Sequence, residues 1–338
     1  MSATPIRIGI VGCGKIATCS HIPAFKACAG TRITALFDVD AAKAEAARSS
    51  LVPDAEVFSD YDRLLQSGLV DAVTICTPND THRPLTLAAL GAGLHVLCEK
   101  PMAATLPEAT EMIEAARAAG RILQINQSCR YSPLYAKVAE LVHSGAIGEP
   151  RHARCIRAGG STPDMGWSPG ATWFVQKAHQ GGLVLDIGIH MADMLRWVVG
   201  EVDEVAAYVD TWKPDIDVPD NASALFRFRN GATGVLELSW TLPVGAGLLE
   251  VYGTAGTLRV GFGGAAIELL KREEGKTVTT AVEPATGLPT SFTGFLAAIR
   301  GEGESITPGE YGRRALALCD AMVRSSESGQ FVKVEHFE

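Results

Sequence analysis

Long basic runs are missing from this sequence. Of its 338 residues, 30 are Lys or Arg and 38 are Asp or Glu, a formal net charge of −8. No stretch of positive charge is long enough to follow a phosphate backbone, so no nucleic-acid partner is expected. Long apolar runs are missing as well, and no membrane span is expected. The apolar stretch that follows Met1-Ser2-Ala3-Thr4-Pro5 is short and ends at a glycine turn, not at a signal-cleavage site. The expected location is the cytoplasm. Eight cysteines are present, yet none forms a CxxC pair and none stands with a histidine at zinc-ligand spacing, so no metal site is expected. Several lie in apolar runs such as Val73-Thr74-Ile75-Cys76 and Val96-Leu97-Cys98, the pattern of small buried residues in a reducing compartment. Internal repeats and low-complexity segments are absent too.

What is present is ordinary globular material: 47% apolar residues and 20% charged ones, enough for two buried cores. Residues 1–126 alternate short apolar strands with helices, which indicates a parallel sheet covered on both faces. The rhythm changes near residue 127. A helix is expected over Pro133–Ser144, then a long loop rich in glycine and proline over 159–182. A nearly all-apolar helix follows over Leu183–Val199. Beyond it the chain is strand-rich, with Asn230-Gly231 a strong hairpin signal, and two helices close it. The expected architecture is an α/β domain over 1–126, followed by an α+β domain over 127–338 with a large open, mainly antiparallel sheet.

The first strand runs into Gly12-Cys13-Gly14-Lys15-Ile16-Ala17, a G-x-G-x-x-A turn that opens a helix. Gly12 permits the tight turn, Gly14 allows backbone to approach a pyrophosphate, and Ala17 lets helix pack on strand. This is the Rossmann dinucleotide-binding arrangement, with the anion at the helix N-terminus. Asp38 ends the next strand, 21 positions after Ala17, where a carboxylate grips the adenosine ribose. Its charge would repel a 2′-phosphate, which favours NAD over NADP.

Ligands on such sheets lie beyond the C-terminal strand ends. Three ends are polar: Thr77-Pro78-Asn79-Asp80-Thr81-His82, Glu99-Lys100-Pro101 and Asn126-Gln127. Lys100 follows an apolar strand in the expected crevice, where partial desolvation and a nearby cationic nicotinamide would tune its amine for acid–base work. The plain alternative is a surface lysine paired with Glu99. On the apolar helix, Asp186, His190 and Asp193 fall at i, i+4 and i+7 and share one face. They either satisfy one another inside the protein or line a pocket where His190 passes a proton.

Taken together, the residues resemble the Gfo/Idh/MocA family of glucose–fructose oxidoreductase and inositol dehydrogenase. The matching pieces are the glycine loop, Thr77-Pro78-Asn79 with His82, Glu99-Lys100-Pro101, Arg130-Tyr131-Ser132-Pro133, Trp173, and Gly181-Gly182 leading into Asp186, Gly188, His190 and Asp193. The resemblance implies a two-domain NAD(P)-dependent oxidoreductase for a sugar, cyclitol or related compound. It implies Lys100, Asp186 and His190 as the catalytic group, with Trp173 beside them at the substrate. It also implies cofactor contacts from Gly12, Cys13, Gly14, Lys15, Ile16, Asp38, Thr77, Pro78, Asn79, His82, Glu99 and Lys100. A homodimer or homotetramer joined through the open sheet is implied as well.

The expected reaction is hydride transfer between nicotinamide C4 and a secondary alcohol or carbonyl of a small polyhydroxylated substrate. Either His190 or Lys100 could be the base. Two rivals differ in class: a non-catalytic dinucleotide-binding sensor, and a glycosidase that oxidises a sugar carbon only transiently. A zinc dehydrogenase is disfavoured by the missing ligand spacing.

Overall fold

A computed structural model describes residues 4–261, 264 and 266–337. The opening Met1-Ser2-Ala3, where a leader would begin, lies outside the described residues. The chain divides into two units, 1–127 with 289–313, and 128–288 with 314–338. A cut at 126/127 therefore misses one feature: residues 289–313 return to the first unit.

The first unit alternates as expected. Its elements are β1 (Ile6–Val11), α1 (Ile22–Ala27), β2 (Thr31–Phe37), α2 (Ala41–Leu51), β3 (Glu56–Phe58), α3 (Tyr61–Gln66), β4 (Ala72–Ile75), α4 (His82–Gly91), β5 (His95–Cys98), α5 (Leu106–Ala119) and β6 (Leu123–Ile125). All strands described here are parallel, in the order β3-β2-β1-β4-β5-β6. The order reverses beside β1, which is where open α/β sheets bind ligands. The strand ends share one register row: Phe58, Phe37, Val11, Ile75, Cys98 and Ile125 are successive partners. Whatever follows each strand therefore emerges on one edge. α5 starts in the expected capping box, with the Thr105 side chain accepting from Glu108 N–H, and stops at left-handed Gly120.

The second unit begins with α6 (Pro133–His143) and β7 (Pro150–Ala158). After the 159–182 loop come α7 (Ile189–Val199), β8 (Val202–Asp210), β9 (Asn221–Phe228), β10 (Thr233–Ser239), β11 (Ala246–Gly253), β12 (Thr257–Gly261), β13 (Ile267–Glu273) and β14 (Lys276–Val282). The chain then returns to the first unit through α8 (Ser291–Arg300), whose Phe292, Phe295 and Leu296 join the core of Ile8, Ile10 and Phe25. α9 (Gly309–Ser328) leads back, and β15 (Val332–Lys333) completes a sheet of nine described strands, β14-β13-β12-β11-β7-β10-β9-β8-β15. This sheet is antiparallel except where β7 and β10 run parallel. The turn at Asn230-Gly231 joins β9 to β10, with Gly231 at φ +85. No helix among the described residues is long and apolar enough to cross a membrane. Five of the eight cysteines, Cys13, Cys76, Cys98, Cys155 and Cys319, are buried, and Cys19 is exposed.

Candidate active site

The glycine loop leaves β1 into helical backbone that runs from Lys15 to Ala27. Its first stretch, Ala17–His21, is π-helical, and Ile22 N–H bonds back to Ala17 O. Pro23 stands in the first turn of α1. Proline has no N–H to continue the ladder, so it sits at the start of α1, after the wide turn. Gly12 stands at φ +88, and a Cβ there would lie 2.8 Å from Thr77 Cγ2 and 2.9 Å from Cys76 O. Gly14 has open space on that side, with nothing within 4 Å. Asp38 Oδ2 accepts from Cys13 N at 2.8 Å and Oδ1 from Asp40 N at 2.9 Å. The carboxylate so ties the loop to the end of β2, while each oxygen retains a second lone pair for a ligand hydroxyl. Burial, and then the charge of Asp38, push the Cys13 thiol up to about 12, so it stays neutral.

These features fit a dinucleotide: an open cradle over Gly14, backbone N–H groups at a helix start, and an acid at the ribose position. The pair of glycines allows a test. Gly12→Ala is expected to destabilise the protein by about 2 kcal/mol or more, since both φ and the neighbours oppose it. Gly14→Ala should leave the melting temperature within ~2 °C yet weaken NADH binding roughly tenfold, by filling the space a pyrophosphate would enter. Scanning fluorimetry and NADH fluorescence titration read both. Wild-type NADH affinity in Gly14→Ala would place the cradle elsewhere.

On the same edge, β4 runs into Thr77, Pro78 and buried Asn79, then α4 begins at His82. His82 is buried between two carbonyls, Nδ1 2.7 Å from Pro101 O and Nε2 2.9 Å from Thr77 O. Burial lowers its pKa, against the opposing pull of those carbonyls and Glu99, so the ring tends to neutral and donates to one carbonyl at a time. His82 thereby links the turn after β4 to the turn after β5. The latter carries half-buried Lys100, joined to Pro101 by a cis peptide.

Glu99 faces inward. Its Oε1 accepts from His21 Nε2 at 2.8 Å and from Asn126 Nδ2 at 2.6 Å. Its Oε2 lies 3.3 Å from the backbone N of Lys100. Burial alone would raise the Glu99 pKa. The hydrogen bond and charge of His21, with Asn126 and the Lys100 ammonium, outweigh it and hold the carboxyl down at about 2. His21 was not singled out by sequence reasoning, and Asn126 only as a polar strand end. The available signal was a histidine on the first helix, four residues past Ala17, among residues that pack on the sheet.

In the second unit, Asp186 lies in a π-helical stretch, Val184–Gly188, and His190 in the first turn of α7; both are half-buried. The wide turn means that these two are not related by a regular α-helical step. Asp193, the third member of the polar stripe, is fully buried and committed to Arg130 through bonds of 2.7 and 2.8 Å. Trp173 is half-buried in a short 3-10 turn and stacks on Phe174, with ring centroids 3.7 Å apart. Lys100 thus belongs to one unit, and Trp173, Asp186 and His190 to the other.

The sheet order, the glycine loop and the acid after β2 define an NAD-binding oxidoreductase. Residues 6–127 match the family model for the NAD-binding Rossmann fold of this oxidoreductase family, and residues 135–259 match the GFO/IDH/MocA C-terminal domain. The chain belongs to the Gfo/Idh/MocA family. It is 31% identical to 1,5-anhydro-D-fructose reductase of Ensifer adhaerens, over 97% of this chain and 98% of that one. It is 32% identical to D-glucoside 3-dehydrogenase of Escherichia coli, over 72% of this chain and 73% of that one. Among solved structures, the WlbA dehydrogenase of Bordetella pertussis, in complex with NADH and UDP-GlcNAcA, aligns with a TM-score of 0.85 at 27% identity, over 98% of this chain and 100% of that one. The chain is an NAD(P)-dependent oxidoreductase acting on CH–OH groups.

Proposed function

We propose that the chain interconverts a secondary alcohol and a carbonyl on a sugar, cyclitol or related polyol. The observation that carries this reading is the shared register row. It delivers the glycine loop, Asp38 and Lys100 to one edge of the parallel sheet. The names of the relatives cover both sides of that couple: a reductase of an anhydrofructose, which acts on a carbonyl, and a 3-dehydrogenase of a glucoside, which acts on an alcohol. Lys100, Asp186 and His190 form the proposed catalytic group, with Trp173 at the substrate. NAD, when bound, supplies the hydride acceptor. Lys100 or His190 takes the hydroxyl proton, the Lys100 ammonium steadies charge on the oxygen, and Asp186 holds a neighbouring hydroxyl.

The purified chain, assayed on sugars, inositols, sugar acids and aldoses with NAD and NADP, should give NADH from at least one polyol. Tight NADH binding with no turnover across the panel would sink the reading. Release of an aglycone without net NADH would replace it with a transient-oxidation glycosidase.

The proposed location is the cytoplasm. The proposed assembly is a homodimer or homotetramer through the open face of the nine-stranded sheet. On that face lie exposed Tyr208 and Leu225, and Val235 pairs with Leu225 and Arg154 across neighbouring strands. Light scattering reads the assembly state, and a monomer at micromolar concentration would rule the proposal out.

A further inference from the structure

Two turns on the ligand edge of the parallel sheet, the one after β4 and the one after β5, have a single buried side chain between them. Both ring nitrogens of His82 face main-chain carbonyls: Nδ1 lies 2.7 Å from Pro101 O and Nε2 2.9 Å from Thr77 O. A carbonyl oxygen only accepts and a neutral imidazole carries one N–H, so the ring serves the two carbonyls in alternation. Each carbonyl belongs to a turn that the proposed function uses. Pro101 directly follows Lys100. Thr77 backs the glycine loop: its Cγ2 is the atom that a Cβ on Gly12 would meet at 2.8 Å, and its Oγ1 accepts from Thr81 Oγ1 at 2.6 Å. With both nitrogens engaged, the ring keeps no polar atom for a dinucleotide, so any role in cofactor binding has to pass through Thr77. A histidine that only filled space would be served as well by leucine, without the cost of burying two polar nitrogens.

We propose that His82 is a positioning residue, a strut that sets the turn carrying Lys100 against the turn backing the glycine loop, and so fixes where the lysine stands relative to the dinucleotide cradle. The proposal rests on the catalytic reading of Lys100. The lysine follows β5 and the cradle follows β1, with β4 between them in the sheet. The β4–β5 ladder reaches Glu99 N, which donates to Ile75 O at 3.0 Å. Two residues further along each chain, His82 supplies a bridge where the strands have already given way to turns. A catalytic group misplaced by about 1 Å loses about a hundredfold in rate, so a strut of this kind weighs more on turnover than on stability.

The test divides the strut into halves. An asparagine places its amide nitrogen where Nδ1 stands, and a glutamine places its own where Nε2 stands. His82→Asn therefore keeps the bond to Pro101 O and loses the one to Thr77 O, and His82→Gln does the reverse. Hydrogen exchange of the purified chain without substrate, read by mass spectrometry, should speed up about tenfold over residues 77–81 in His82→Asn and over residues 100–104 in His82→Gln. NADH affinity should fall about tenfold in His82→Asn with kcat, on any polyol the wild type turns over, within about threefold. In His82→Gln, kcat should fall about tenfold with NADH affinity within about threefold. His82→Leu removes both bonds and should show both losses; where it folds poorly, the two amide variants still decide. A purely structural histidine would give both amide variants one pattern, scaled to melting temperature, and that result overturns the proposal. Wild-type exchange in both turns overturns it too, as does wild-type kcat in His82→Gln when Lys100→Met is inactive. If Lys100→Met turns over normally, it is the catalytic reading of Lys100 that fails, and the exchange split with the NADH loss in His82→Asn still decides for or against the strut.

Discussion

Lys100→Met is expected to lower kcat/KM at least about a thousand-fold while NADH binds within about threefold of wild type. Methionine matches the length and apolar stem of lysine, so the packing after β5 should survive. What disappears is the ammonium. In the oxidative direction an alcohol must lose its O–H proton as its C–H bond breaks, and negative charge grows on the oxygen meanwhile. A cation fixed in a partly desolvated crevice acts on that charge far more strongly than water does. The dinucleotide cradle is built from other residues: Gly12, Gly14 and the Asp38 carboxylate bonded to Cys13. Turnover and cofactor affinity should therefore separate. Stopped-flow hydride transfer and NADH fluorescence titration measure the two, and wild-type turnover in Lys100→Met removes Lys100 from the chemistry. Equal loss of both would instead mean that the lysine holds the cofactor.

Most of the first unit was legible because its signals are local. A buried apolar strand, a glycine pair and an acid 21 residues past Ala17 each carry their meaning within a short window. The second sheet was harder. Its strand β7 pairs with both β10 and β11, yet no strand was expected over Pro150–Ala158. The segment carries Arg151, His152, Arg154 and Arg157, and only Ala153 and Cys155 are fully buried. On its open side Arg154 lies 3.4 Å from Glu237 of β10, a cross-strand partner that no short window contains. α3 escaped notice for a different reason: six residues capped by Asp60 make too few turns to show a period. The return of α8 to the first core, through Phe292 and Phe295, depends on contacts more than 200 residues apart in the chain, out of reach of any local pattern. The same limit hid the site's supports. Glu99 and Lys100 read as motif, but the partner of Glu99 is His21, 78 residues earlier.

Arg130→Met should give the largest loss of stability among these variants, about 3–5 kcal/mol. Arg130 Nε and Nη2 grip the two oxygens of Asp193, whose side chain is fully buried, and the guanidinium lies 5.4 Å from the Trp197 ring centroid. Removing the arginine leaves a buried carboxylate with Arg196 at 3.4 Å, and Arg196 is already held by Glu201 through bonds of 2.7 and 2.6 Å. One weak contact cannot replace two short ones in a dry interior, where the penalty for an uncompensated charge is set by desolvation. Arg130→Lys should recover only part of the loss, because an ammonium cannot reproduce the planar two-pronged grip or the stacking on Trp197. Arg130→Met with Asp193→Leu should recover more than the lysine variant, since it removes both charges. Urea melts of the three variants decide the matter. Near-wild-type stability in Arg130→Met would mean that the pair is incidental to the fold. If the order holds, α7, the helix that carries His190, is anchored from α6's leading turn by charge, and Asp193 owes its place on the polar stripe to that anchor.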